Sequence, residues 1–268
     1  MSSTTTQQEF IQLVWEYYSD HKRPMLWRDN PHPYWVIVSE IMLQQTQVNR
    51  VMIKFPQFIK IFPDFASLSQ ASLAEVLQVW QGMGYNRRAK YLWHIAQLIE
   101  KEYQGVVPRN PEILATFPGI GKATAGSIIA FAYNIPTVFI ETNIRRVFIY
   151  HFFQDKDEVS DVEIMPLVQS TVSLDNPREW YYALMDYGTY MKRITSNPNK
   201  RSKHYTIQSS FEGSNRQIRA QIIRLLLQKP YTLEELIDSI QDERVISNLK
   251  NLIKEEMIVL KEECYYIR

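Results

Sequence analysis

The stretch Phe117-Pro118-Gly119-Ile120-Gly121-Lys122-Ala123-Thr124-Ala125-Gly126 decides the fold. Ahead of it, Pro111 opens a short helical segment. Behind it, residues 123–133 are rich in Ala, Gly and Ser, a composition that suits a helix packed closely against a neighbour. The whole reads as helix, tight glycine turn, helix. A Walker loop is ruled out, because Gly121-Lys122 is followed by Ala123 where Ser or Thr is required. A dinucleotide fingerprint is ruled out as well, since no strand precedes the turn and the third glycine is misplaced. The two glycines leave backbone N–H groups unobstructed at a helix start, where a phosphate is favoured. A plain interhelical turn would read the same way, and the motif alone does not choose.

Working outward, apolar spacing predicts helices over residues 7–18, 35–49, 50–62, 72–80 and 86–103, and again over 143–154, 161–174 and 177–191. Strand-like alternation is scarce, so residues 1–194 read as an all-α body of about ten helices. Residues 195–215 are polar and basic and read as a linker. Beyond them, three helical patterns precede a terminal pair of short strands around Lys261-Glu262-Glu263, and Thr232 with Glu235 forms a capping box. Residues 216–268 thus describe a small winged-helix-like domain.

Composition and charge narrow the function classes. With 268 residues, 45% hydrophobic and 22% charged, 8 Gly and 13 Pro, the chain is neither collagen-like nor mucin-like nor wholly disordered. No apolar run approaches the ~20 residues of a membrane span, and the opening residues are neither basic nor apolar, so no membrane partner and a cytoplasmic, nucleoid-associated location are expected. The single Cys264 excludes an intramolecular disulfide and a cysteine-held iron-sulfur cluster. The five histidines (21, 32, 94, 151 and 204) show no ligand-like spacing, so no catalytic metal is expected. Net charge is only +1, but residues 186–229 carry nine Lys/Arg against Asp186 and Glu212, a local balance of +7. A polyanion partner and a solvated linker both fit that stretch.

Two carboxylates carry the chemistry. Glu40 lies inside an apolar helical run, with Val36, Ile37 and Leu43 at helical spacing, where desolvation raises its pKa and suits it to donate a proton to a leaving group. Glu141 interrupts the apolar run Val138-Phe139-Ile140 just ahead of a helix, whose dipole favours its ionised form. A protonated and an ionised carboxyl divide the labour of cleaving a glycosidic bond through a cationic sugar. A helix cap at Glu141 and a buried ion pair at Glu40 are the structural alternatives.

Taken in order, Leu26-Trp27-Arg28, Pro33-Tyr34, Ser39-Glu40 through Gln47, Gly82-Met83-Gly84-Tyr85, Phe117 through Gly121, Thr124-Ala125-Gly126, Asn143 through Val147 and Leu184 through Gly188 resemble the helix-hairpin-helix DNA glycosylase superfamily. The resemblance covers residues 24–192 and is closest to the MutY branch, the adenine glycosylases of mismatch repair. It implies two helical lobes, about 30–135 and 1–29 with 136–194, with the active-site cleft between them. It also implies that Glu40 protonates adenine, that Glu141 stands where the family has an Asp steadying the sugar cation, and that Asn143 lies beside it. Arg28 matches a base-pocket residue, Gln45 and Tyr85 match residues that enter the duplex beside the flipped base, and Pro118, Gly119, Gly121 and Lys122 form the DNA-gripping hairpin. A monovalent cation held by hairpin carbonyls is compatible with the resemblance.

Three further departures shape the expectation. Ala123 fills the slot where endonuclease III relatives carry a lysine nucleophile, so no Schiff base and no strand cleavage are expected. The family's four-cysteine cluster is missing, and Lys200, Arg201 and Lys203 of the basic linker are expected to take over its contact with the DNA backbone. The family's large domain that recognises 8-oxoguanine opposite adenine is replaced by the winged-helix-like unit. The sequence therefore reads as a cluster-free, monofunctional and monomeric glycosylase acting on double-stranded DNA at adenine mispaired with 8-oxoguanine or guanine. Removal of thymine or uracil opposite guanine, or structure-specific DNA binding without chemistry, are the alternatives.

Overall fold

The computed structural model describes residues 6–268. In chain order the described helices are α1 (Gln7–His21), α2 (Leu26–Asp29), α3 (Pro33–Leu43), α4 (Val48–Ile61), α5 (Phe65–Gln70), α6 (Leu73–Trp80), α7 (Arg87–Tyr103), α8 (Pro111–Leu114), α9 (Lys122–Tyr133), α10 (Thr142–Phe152), α11 (Asp161–Thr171), α12 (Pro177–Ile194), α13 (Asn215–Leu226), α14 (Leu233–Ile240) and α15 (Val245–Lys254). A 3-10 turn (Pro198–Arg201) follows α12. The strands are β1 (Tyr231–Thr232), β2 (Ile258–Lys261) and β3 (Cys264–Ile267). No described helix is long and apolar enough to cross a membrane.

The chain divides into two compact units, residues 1–40 with 108–207 and residues 41–107 with 208–268. This division departs from the lobes drawn from sequence in three places, the first being residues 30–40, which group with the first unit. Residues 108–135 group with the first unit, where Arg178 of α12 donates to the carbonyls of Phe131 and Ala132 at the end of α9. The C-terminal segment groups with residues 41–107, where Arg87 and Lys90 of α7 pair with Glu255 and Glu256.

In the first unit, α1, α10 and α12 bury a shared aromatic core. Phe10 lies 5.2 Å from Phe148 and 6.1 Å from Trp180, centroid to centroid, and all three are fully buried. The expected linker is packed in its first part, while residues 205–214 form no helix or strand and hold the boundary between the two units. Residues 197–203 fold onto α10 and the Val159 region: Asn199 Nδ2 donates to Thr142 O at 3.0 Å, Val159 N to Arg201 O at 2.7 Å and Lys203 N to Val159 O at 3.0 Å. Arg201 donates to the carbonyls of Ile149, Phe153 and Gln154 at and just past the end of α10.

In the second unit, α13 to α15 and the sheet β1-β3-β2 form the winged-helix-like segment. Glu262 and Glu263 both have positive φ, 46° and 64°, as the two-residue hairpin between β2 and β3 requires. Thr232 caps α14 with Glu235 as expected. The helix expected over 35–49 is broken between α3 and α4, and α5, only six residues long, was too short for its periodicity to register.

Gly188 sets how closely α12 approaches the start of α10. A Cβ there would lie 2.7 Å from Asn143 O and 2.8 Å from Asn143 Cβ, and the backbone oxygen has no rotamer by which to yield. Gly188→Ala therefore loses about 1–3 kcal/mol to overpacking, more than the ~0.5–1 kcal/mol that removing a helical glycine returns. Denaturant unfolding should show net destabilisation; an unchanged or raised midpoint would contradict this packing.

Candidate active site

Residue 40 occupies the apolar helix α3, among Val36, Ile37, Ile41 and Met42, each at most 1% exposed. Its half-buried carboxyl has few polar partners, and burial is the largest influence on it, pushing its pKa up to about 7. The nearby negative charge of Glu141 raises it further, while Ser127 and Arg28 pull it down. Ser127, on α9, reaches Glu40 Oε2 through its hydroxyl and lies 2.9 Å from Thr124 O. A serine hydroxyl has one proton and a carbonyl can only accept. When that proton serves Thr124, the contact with Glu40 needs the proton on the carboxyl, so Ser127 accommodates both forms of the acid.

The chain reaches Ser127 at this place because α9 packs tightly. A Cβ on Gly126 would meet Phe139 Cβ at 3.1 Å, and Thr137 Oγ1 donates to Gly126 O at 2.8 Å. That contact brings in the segment 137–140, which delivers Glu141 to the start of α10. Glu141 is the N-cap: its Oε1 accepts from Asn143 N at 2.7 Å and Ile144 N at 2.8 Å, and its Oε2 from Asn143 Nδ2 at 3.2 Å. The cap and the catalytic candidate are thus the same group. Burial nevertheless outweighs these donors and the nearby arginines and raises the Glu141 pKa above its usual 4.5. The helix start favours the ionised form of Glu141, as expected from sequence, and burial opposes it. The two carboxyls lie within electrostatic reach, and the charge on Glu141 favours the protonated form of Glu40.

Arg28 and Asp186 form a bidentate pair, Nη1–Oδ2 2.9 Å and Nη2–Oδ1 3.0 Å, with Asp186 1% exposed. The Arg28 guanidinium lies 4.4 Å from the Tyr182 ring centroid. Its fork is thus engaged by Asp186, and what it offers Glu40 is charge. Sequence reasoning quoted Asp186 in a motif without assigning it a part. Arg146, likewise quoted only within a motif, has a buried guanidinium that donates to Asn143 Oδ1 and Gly188 O, both at 2.7 Å, and fixes the amide that faces Glu141.

The hairpin forms as read. Pro118 is half-buried, Gly119 has φ +76°, Gly121 is the N-cap of α9, and Lys122 is exposed. Of the three basic residues 200, 201 and 203, Lys200 and Lys203 are exposed, but Arg201 is committed to the end of α10 and is withdrawn as a DNA contact. In the second unit, Gln45 is exposed with φ 54° and Tyr85 is half-buried with φ 49°. The Tyr85 hydroxyl accepts from Gln208 and from Arg216 Nη1, the latter at 2.6 Å, two partners that no motif announced. A cavity of about 400 Å³ lined by Arg87, Lys90, Tyr91, Asn251, Lys254 and Glu255 also belongs to this unit; it holds no carboxylate pair and follows the Arg87–Glu255 ion pair. Among the described residues no group of three or more His, Cys, Asp or Glu is placed to hold a metal ion.

Residues 38–168 match the HhH-GPD superfamily of base excision DNA repair proteins. Curated relatives named adenine DNA glycosylase include one from Buchnera aphidicola subsp. Baizongia pistaciae, 32% identical over 191 residues, 70% of this chain and 54% of the relative. One from Mycobacterium tuberculosis is 40% identical over 136 residues, 50% and 44% of the two chains, and one from Mus musculus 31% over 225 residues, 80% and 43%. The chain thus spans about half the length of the curated relatives it matches. Among solved structures, a thermostable thymine-DNA glycosylase superposes with a TM-score of 0.61 at 21% identity, covering 68% of this chain and 85% of that one. Endonuclease III in a non-covalent DNA complex gives 0.59 at 17%, covering 69% and 87%. These likenesses establish the fold. Both carboxylates, the hairpin and the loops bearing Gln45 and Tyr85 lie within residues 38–168, the segment that matches the HhH-GPD superfamily model.

Proposed function

We propose that the chain is a monofunctional DNA glycosylase of base excision repair that hydrolyses the bond between adenine and deoxyribose at a mispair with 8-oxoguanine or guanine. The observation that carries the reading is a Glu40 carboxyl held near pKa 7 within electrostatic reach of Glu141. Support for adenine comes from the names of the curated relatives.

The reaction follows from the pair. Protonated Glu40 gives its proton to the departing base, the C1′–N bond breaks with its electrons going to the base, and the ionised Glu141 steadies the cationic sugar. Water then adds at C1′ and returns a proton to the carboxylate pair. Glu141 carries one methylene more than an Asp, and its cap bonds to Asn143 and Ile144 anchor one oxygen while the other faces the Asn143 amide. Ala123 offers no amine to attack the sugar, so the product is an intact abasic strand that breaks only on alkali treatment.

Duplexes carrying single mispairs, treated with the protein and then alkali, should break at adenine opposite 8-oxoguanine or guanine. Breakage only at thymine or uracil opposite guanine, or none with tight binding, would overturn the adenine assignment. Glu40→Gln keeps shape and removes the proton, so single-turnover excision should fall about 10²–10⁴-fold, the usual worth of a general acid, with duplex affinity nearly unchanged.

The active form requires a protonated Glu40, so excision should be lost as pH rises through about 7, tenfold per unit above it. Ser127 lowers that pKa by bonding to the charged form. Ser127→Ala therefore moves the alkaline limb to higher pH; a shift to lower pH, or none, would remove Ser127 from the acid's environment.

A further inference from the structure

The second unit contains a single guanidinium that serves two surface loops. Arg88, 6% exposed on α7, directs Nη1 at the carbonyls of Ile41 (2.9 Å) and Met42 (2.8 Å) in the last turn of α3 and at that of Gln44 just past its end, which Thr46 Oγ1 also reaches at 3.3 Å. Its Nη2 meets Thr46 Oγ1 at 2.9 Å and the carbonyls of Met83 and Gly84, both at 3.2 Å. Its guanidinium carbon also lies 5.4 Å from the Tyr85 ring centroid and 5.5 Å from that of Trp80, whose Nε1 donates to the same Gly84 carbonyl at 3.1 Å. Nε is buried without a partner, so the side chain is placed by what its two terminal nitrogens reach.

What these loops present are Gln45 and Tyr85, both in left-handed backbone that non-glycine residues rarely adopt. Gln104, Asn134 and Gln241 share that conformation as helix C-caps, an ordinary use. Gln45 and Tyr85 instead sit in the α3–α4 and α6–α7 connections, where strain persists only if the surroundings enforce it. Each left-handed residue directly follows a carbonyl bound to Arg88, that of Gln44 or of Gly84.

We propose that Arg88 is a positioning residue that couples the 41–46 and 83–85 loops, so that Gln45 and Tyr85 meet the mispaired duplex as one preformed unit. This rests on the glycosylase reading for the identity of the partner. A lysine offers one nitrogen and cannot span both loops, so the conservative replacement does not restore the coupling.

The test has two arms. Amide hydrogen exchange on the free protein with Arg88→Lys and Arg88→Met should show faster exchange in both 44–46 and 83–86, with the remaining helices protected; acceleration in one loop alone, or in neither, would overturn the coupling. Duplex affinity, measured in the Glu40→Gln background so that no substrate is consumed, should fall about tenfold for a mispaired duplex in Arg88→Lys. That loss should vanish when Gln45→Ala and Tyr85→Ala are already present, because the guanidinium then has nothing left to place. An undiminished loss in that background would assign Arg88 a direct or purely structural part and end the proposal. A wild-type protein with no preference for mispaired over paired duplex would sink the glycosylase reading, while the exchange arm would still decide whether one guanidinium joins the loops.

Discussion

Keeping one carboxylic acid short of water is the constraint on which the site depends. Lifting Glu40 to about 7 disfavours its charged form by roughly 3 kcal/mol relative to an ordinary carboxylate. That is a sizeable fraction of the ~5–15 kcal/mol that holds a domain folded. The fold offsets it with the apolar neighbours of α3, which are buried to within 1% of completeness, and supplies the acid with a single hydroxyl partner. More donors would stabilise the carboxylate and lose the proton that the proposed reaction needs.

The second carboxyl is handled differently. Glu141 is surrounded by donors, two backbone amides and the Asn143 side chain, and Asn143 is itself held by Arg146, which also binds Gly188 O. The start of α10 is thus tied to α12 at Gly188, while the same carboxylate terminates a helix and lies within electrostatic reach of Glu40. Arg28 completes the electrostatics: its pairing with the buried Asp186 keeps its charge in the neighbourhood of Glu40 without leaving its fork free. Glu40 therefore owes part of its character to Ser127, delivered by α9, and Glu141 to Asn143 and Arg146 in the helix it caps.

Much of this was legible in the chain. An acid inside an apolar helix, an acid at a helix start and a Pro-Gly-x-Gly turn are local patterns, and their positions follow from helical period and capping chemistry. What escaped depends on pairs distant in sequence. Asp186 meets Arg28 across 158 positions, and Arg216 meets Tyr85 across 131, distances over which no periodicity carries information. Arg201 was misread for a related reason: composition identifies a basic tract but not which of its cations reaches the carbonyls at a helix end. The break after Leu43 was likewise invisible, because the group that stabilises it, Arg88, lies on α7. Glu141 shows the limit of a dipole argument, since burial opposes the ionised form that position at a helix start favours.

The claim that a water-poor carboxyl stores the reacting proton is tested most directly by watching that carboxyl titrate. Carbon-13 NMR of side-chain carboxyls, with Glu40 assigned by comparison with Glu40→Gln, should show a midpoint near 7 that depends on the presence of Glu141. A Glu40 resonance titrating near 4.5, unmoved when Glu141 is replaced by Gln, would contradict the account at its base.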